Sequence, residues 1–316
     1  MADTTALLKS LAAPDAGSCR FHTVSAYAPS VPPYKQCIRR GHARDSVSET
    51  INKMGRWEEC DLTLTLWDLL NFTSAGDIYV DAGANIGSCS LPFLGLGRGG
   101  VSVHAFEPVP DNLYYLSQSV LVNNASFANK LRLYPIVLGS DARNHTMYTQ
   151  PHNAGNSVVD MPVVVNGKIR SNKVQTTIRS ERLDDVLWPD AAREVVPRVR
   201  LMKIDVQGYE VQVFRGASRL LAAGAIRAIY FEVAGELLAR QGASEADLWN
   251  LLHVSSGYTI HCLAGSGIHC ARNPSRKAAF ERIRSRQEFV KRALSAPDNT
   301  STWVATLDGG ALPAVD

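Results

Sequence analysis

The stretch "VDAGANIGSCS", Val80 to Ser90, follows the apolar run Ile78-Tyr79-Val80 and leads into a segment with helical spacing. A glycine-containing turn between a strand and a helix marks a nucleotide-type binding loop. This one carries a carboxylate, Asp81, two residues before its first glycine, Gly83. Asn85 stands where the G-x-G-x-x-G pattern has its second glycine, and Gly87 closes the turn. A pyrophosphate would be repelled by Asp81, and the missing middle glycine removes a close backbone approach.

Outward from this turn, short apolar runs alternate with helical stretches, the signature of βαβ units and a parallel sheet. Strands are predicted at 78–81, 101–106, 131–137, 201–205, 226–232, 257–263 and 301–307. Helices are predicted near 88–97, 110–123, 180–188 and 210–223. Residues 1–75 read as an N-terminal extension, partly helical, with Leu62, Leu66, Leu69 and Leu70 on one side of a helix from Ser46 to Leu70. The second domain, 76–316, carries two additions. Around 143–178, runs rich in β-branched residues bracket the loop "PHNAGNS" and predict an antiparallel insertion overhanging the site. A second insertion is read at about 264–300, where Phe280, Ile283, Val290 and Leu294 recur at helical spacing. Its segment from Arg272 to Arg292 holds eight basic and two acidic residues and reads as an amphipathic helix with a basic face.

Four of the main strands end in acids: Asp81, Glu107, Asp205 and Glu232. In an open parallel sheet the ligand crevice lies outside the carboxyl ends of the strands, so four carboxylates on one rim suit a cation. S-adenosylmethionine has an ammonium and a sulfonium and no phosphate. Asp81 would receive the ammonium, directly or through water. Gly83 and Gly87 would let the backbone approach the nucleoside, and Asn85 would bond the carboxylate end or brace the turn. Glu107 would accept the ribose hydroxyls. Ser140 and Asp141, after the third strand, are candidates for the adenine. Asp205 is the first candidate base, with Lys203 on the same strand face and Glu232 as the second; Asp205 and Glu232 together leave a divalent metal open. Asn153, Asn156 and Ser157 in the overhanging loop are candidate acceptor-binding groups. His152, His261 and His269 read as packed or surface residues.

The net charge of +3 and the isolated aromatics argue against a nucleic-acid partner, and no run reaches the roughly 20 apolar residues of a membrane span. Oligomeric state is not legible. The N-terminal residues lack the basic start and apolar centre of a signal peptide. Six cysteines form no CxxC; Cys262 with Cys270, and Cys37 with Cys60, are candidate pairs. Four N-x-[ST] sequons, at Asn71, Asn124, Asn144 and Asn299, permit a secretory or Golgi lumen, and the cytoplasm stays equally open.

The motifs "YVDAGANIG", "HAFEPVPDN", "SERLDDVL", "LMKIDVQGYEVQVFRGA" and "IYFEV" together resemble the FkbM-type S-adenosylmethionine-dependent methyltransferases, from about Tyr79 to Glu232. That resemblance implies a Rossmann-like class I α/β fold: a mostly parallel seven-stranded sheet with an antiparallel last strand, and helices on both faces. It also implies cofactor contacts at Asp81, Gly83, Asn85 and Glu107, with Asn112 at a recurrent polar position. The implied activity is O-methylation of a hydroxyl on a sugar, glycan or natural product. One departure stands out: the family commonly reads KIDVEG, whereas Gln207 here keeps a hydrogen-bonding amide and loses a charge. Two other readings accompany this one: a nicotinamide-dependent oxidoreductase on the same sheet, and a module that binds S-adenosylmethionine without catalysis.

Overall fold

A computed structural model describes residues 4–11, 19–25, 27, 31–40, 45–70, 76–96, 100–150, 153–161, 164–165, 168–169, 173–192, 195–263, 280–296 and 300–307. The chain begins with α1 (Thr4–Ser10), β1 (Arg20–Val24), β2 (Tyr34–Ile38), α2 (Ser46–Met54) and α3 (Glu59–Leu69). The alternating region follows: β3 (Ile78–Ala82), α4 (Ser90–Gly95), β4 (Ser102–Phe106), α5 (Pro110–Val122), α6 (Ala125–Lys130) and β5 (Leu131–Tyr134). After a short β6 (Val137–Leu138) come β7 (Asn144–Gln150), β8 (Asn153–Val159), β9 (Val164–Val165), β10 (Lys168–Ile169) and β11 (Lys173–Glu181). Then come α7 (Leu183–Leu187), β12 (Val199–Ile204), α8 (Glu210–Gly216), α9 (Ser218–Ala222) and β13 (Ile226–Ala234). The last elements are α10 (Gly235–Arg240), α11 (Glu245–Trp249), β14 (Thr259–Leu263), β15 (Phe280–Arg282), α12 (Arg286–Leu294) and β16 (Thr300–Thr306). The fold is α/β. No helix among the described residues is long and apolar enough to cross a membrane.

Two compact units divide the chain. The first comprises residues 1–64, 73–137 and 144–179. In it β3, β4 and β5 run parallel, Asp81 level with Ala105 and Ala105 with Leu133. Their apolar sequences follow from burial on both faces, as parallel strands require. The N-terminal residues are built into this unit. Leu8 is fully buried, the Cys37 N–H donates to the Ser119 hydroxyl of α5 at 2.8 Å, and Gln36 donates to Ser88 Oγ at 2.8 Å. Alongside α1, α2 and α3 this segment carries the hairpin β1–β2. The helical stretch from Ser46 is interrupted at Gly55, whose φ of 78° caps α2 in the left-handed conformation.

Two disulfides stitch this unit, Cys19–Cys37 and Cys60–Cys89. They replace the expected Cys37–Cys60 pair, because β2 brings Cys37 to the strand that follows Cys19 and the glycine turn brings Cys89 to α3. Cys262 is also disulfide-bonded; Cys270 lies outside the described residues. In the segment expected to hold a loop, Asn153 to Val159 instead form β8, antiparallel to β7, which also pairs with β11. Cross-strand pairing there overrides a turn-like composition.

The second unit comprises residues 65–72, 138–143 and 180–316. β12 and β13 are parallel, whereas β13–β16, β16–β14 and β14–β15 are antiparallel pairs. β15 comes from the segment read as an insertion and adds a strand beyond the expected set. Phe280 thus lies on a strand and not on the expected helix; α12 begins only after Ser285, whose hydroxyl caps it by accepting from the Glu288 N–H. Its buried face is Phe289 and Ala293, while Leu294 is exposed. The motif "SERLDDVL" has a structural role here: buried Asp184 accepts from the Arg219 and Leu220 N–H groups at 2.9 and 3.0 Å, satisfying the start of α9.

Gly216 at the end of α8 is a packing constraint: a Cβ there would lie 1.9 Å from the Gly139 carbonyl oxygen. Gly216→Ala is expected to lower unfolding stability by on the order of 3 kcal/mol. Gly95→Ala, where a Cβ meets only ordinary contacts at 3.6 Å and beyond, should stay near neutral. Urea titration of both variants checks this.

Candidate active site

The glycine turn after β3 is built from left-handed residues: Gly83 at φ 80°, Asn85 at 52° and Gly87 at 85°. Glycine adopts this conformation freely, and asparagine is among the few other residues that tolerate it. The Gly83 and Ala84 N–H groups both donate to the Phe106 carbonyl at 3.0 Å, anchoring the turn to the end of β4. The Asn85 side chain accepts from the Ile86 N–H at 2.8 Å and so braces the turn. Gly83 and Asn85 are its half-buried positions. Gly87 is buried, and a Cβ there would sit 2.9 Å from Leu116 Cγ, so a glycine lets the turn pack on α5.

Glu107 follows β4 and is 4% exposed. Its Oε2 accepts from the Asn85 N–H at 2.7 Å; its Oε1 accepts from the Val109 N–H at 2.9 Å and from Asn112 Nδ2 at 3.1 Å. Burial pushes the carboxyl up from its ordinary range, opposed by these hydrogen bonds and by Arg39. Asp81 is fully buried and accepts from the Ser90 hydroxyl at 2.7 Å. The sequence-predicted residues Asp81, Gly83, Asn85, Glu107 and Asn112 are thus brought together around one turn. Asn112 supports Glu107, with its own carbonyl oxygen taken by Arg39.

Asn156 is exposed on β8, and the Ser157 hydroxyl donates across the hairpin to Thr149 Oγ1 at 3.3 Å. The Asn153 side chain, His152 and His269 lie outside the described residues.

In the second unit β12 ends at Ile204, level with Phe231; Asp205 follows β12, whereas Glu232 lies within β13, opposite Thr302 of β16, and not at the strand end where the apolar run placed it. Asp205 is flanked on both oxygens: Gln207 Nε2 donates to Oδ1 at 2.8 Å, and Lys203 Nζ lies 3.7 Å from Oδ2. Lys203 is buried and the Asp205 side chain is 25% exposed. Gln207 sits at φ 55°, and its amide makes a contact that an ionised glutamate could not make. His261 is buried against Thr306, and burial lowers its pKa to about 4. Ser140 and Asp141 also belong to this unit; Asp141 is exposed and pairs with Arg143 at 3.3 Å. Among the described residues no group of three or more His, Cys, Asp or Glu side chains is placed to hold a metal ion.

Glu210 is the residue that the sequence reading passed over. It is 1% exposed and opens α8 five residues after Asp205; Oε1 accepts from the Gly208 and Val206 N–H groups at 3.1 and 3.4 Å, while Oε2 has no hydrogen-bond partner among the described residues. Burial raises its pKa to about 7, and the Asp205 charge adds to the rise. The available signal was an acid in the first turn of a helix just after a glycine.

Residues 81–260 match the Methyltransferase FkbM domain family. The chain belongs to that family. This FkbM-family chain is 29% identical over 168 residues to methyltransferase sdnD of Sordaria araneosa, across 48% of this chain and 63% of that protein. It therefore spans less than two thirds of that relative's length. Among solved structures it resembles the FkbM methyltransferase of Methylobacillus flagellatus KT, with a TM-score of 0.41 and 17% identity over 76% of this chain and 45% of the other. It also resembles precorrin-6y C5,15-methyltransferase of Geobacter metallireducens GS-15, with a TM-score of 0.33 and 12% identity over 78% and 88%.

A folded-state pKa above the ordinary 4.5 means that the native protein holds the Glu210 proton longer than the unfolded chain does. Its contribution is complete below about pH 4.5 and declines as pH rises through 7. Glu210→Gln is therefore expected to gain stability relative to the parent protein between pH 5 and 8, by at most roughly 3 kcal/mol. Thermal melts across that range would show a gap that widens with pH.

Proposed function

We propose that this chain is an S-adenosylmethionine-dependent methyltransferase that methylates a hydroxyl group of a sugar, glycan or natural product. The observation that carries the reading is Glu107. A buried carboxylate, aimed by three hydrogen bonds at the half-buried residues of a glycine turn, accepts hydroxyls and tolerates positive charge, and it repels phosphate. Three donors leave one lone-pair position, on Oε2, for a further hydroxyl. Asp81 adds a second negative charge within the same turn. This donor set fits a phosphate-free, cationic nucleoside, and family membership leaves the nicotinamide alternative without support.

When bound, S-adenosylmethionine supplies an electrophilic methyl group on a sulfonium centre. Glu107 would hold a ribose hydroxyl through Oε2, the Gly83–Asn85 backbone would line the nucleoside, and Asp81 would favour the positive end through the turn. Asp205, reachable by solvent and hydrogen-bonded by Gln207, would take the proton of the acceptor hydroxyl. Lys203 would orient it, and Glu232 is the second candidate base. Asn156 on the exposed hairpin is the acceptor-binding candidate.

Asp205→Asn should retain cofactor affinity and lose at least about 100-fold in methyl transfer. A radiolabelled methyl donor offered with sugars, glycans and polyketides reads this out. Unchanged turnover in the variant removes Asp205 from the reaction, and cofactor binding without turnover on any acceptor favours a non-catalytic module.

We also infer an oxidising compartment, the secretory or Golgi lumen. Two disulfides and a bonded Cys262, with no free cysteine among the described residues, support it. The sequon residues Asn124 and Asn144 are both exposed; Asn71 and Asn299 lie outside the described residues. Reduction of the bonds should lower stability, the Cys60–Cys89 link alone by about 3–4 kcal/mol. Comparing melting temperatures with and without dithiothreitol tests this, and identical values would contradict it.

A further inference from the structure

The N-terminal segment reaches the ribose-type carboxylate through one side chain, Arg39. Arg39 follows β2 by one residue, its side chain 8% exposed. Nη1 pairs with Asp45 Oδ2 at 2.9 Å, and Asp45 is itself 1% exposed. Nη2 donates to the Asn112 carbonyl oxygen, and the guanidinium carbon lies 4.6 Å from the centre of the Tyr115 ring. Asn112 then donates through its amide to Glu107 Oε1. Asn112 can take only one orientation in this chain. Arg39 has no acceptor, so it must face the carbonyl oxygen, and that leaves the NH₂ for Glu107.

The other end of the relay is equally fixed. Asp45 caps α2, accepting from the Ser48 N–H and hydroxyl, and the Ser48 hydroxyl in turn accepts from the Arg39 N–H. The planar guanidinium spans Asp45 and Asn112 with two nitrogens while stacking on Tyr115, a combination that a lysine ammonium cannot reproduce. Nothing in the geometry gives Arg39 a more direct task, since its Nη1 and Nη2 are both committed within the protein.

We propose that Arg39 is a positioning residue for ribose recognition: by fixing the Asn112 carboxamide it holds Glu107 oriented toward a ribose hydroxyl of an adenosyl ligand. The proposal rests on the cofactor reading above and gives the N-terminal segment a part in that site. Its consequence is specific. Loss of Arg39 weakens the ligand only through the hydroxyl that Glu107 meets.

The test is calorimetry on the full chain, using S-adenosylhomocysteine and its 2′,3′-dideoxy analogue as probes. Arg39→Ala is expected to weaken S-adenosylhomocysteine by about 10-fold, the scale of one hydrogen bond to a charged group, and to leave the dideoxy analogue within about twofold of the parent protein. Arg39→Lys should not restore the loss. Asn112→Ala provides a second route should Arg39→Ala fail to fold, with the same selectivity expected. Equal weakening of both probes would assign the relay a merely structural role and overturn the proposal, as would no change for either. A parent protein that binds neither probe would instead sink the cofactor reading itself.

Discussion

A carboxylate taken out of water must be surrounded by donors, or it neutralises. Glu107 meets that condition with two backbone N–H groups and one carboxamide, from the glycine turn, the segment after β4 and α5. The dependence runs both ways. The turn holds its left-handed shape with the Asn85 N–H bonded to Glu107, and α5 begins beside the Val109 N–H that Glu107 satisfies.

The N-terminal residues belong to the same arrangement. The Cys60–Cys89 bond fastens α3 to the residue next to Ser90, the Asp81 partner, and Gln36 grips Ser88 on the other side. The Cys19–Cys37 bond holds the hairpin from which Arg39 emerges. Several of the contacts that rigidify the glycine turn thus come from sequence more than 20 residues before it. In the other unit, the turn Gln207–Gly208 does comparable work, pairing one residue with Asp205 and allowing Leu237 within 2.6 Å of where a Gly208 Cβ would lie.

How much of this was legible in the sequence depends on the range of the interaction. Asp81 and Glu107 could be read because each closes an apolar run, and the strand period is local. The bracing role of Asn85 followed from its place among glycines. Glu210 escaped because its burial arises from how the Gln207–Gly208 turn folds the start of α8 back on the strand end, and no periodicity announces that. The cysteine pairs join residues 18 and 29 positions apart on different elements, which spacing alone does not select. Asn153 to Ser157 look like a turn and pair as a strand, since β7 supplies the partner. Phe280 keeps a helical spacing with Ile283, yet β14 captures it as an edge strand before Ser285 starts the helix.

The central claim is that the glycine turn and Glu107 accept a cationic, phosphate-free nucleoside. Calorimetric titration of the purified chain with S-adenosylmethionine and, separately, with NAD⁺ tests it most directly. Saturable micromolar binding of the sulfonium compound is expected, with no measurable heat from the dinucleotide. Micromolar binding of NAD⁺ with no response to S-adenosylmethionine would contradict it.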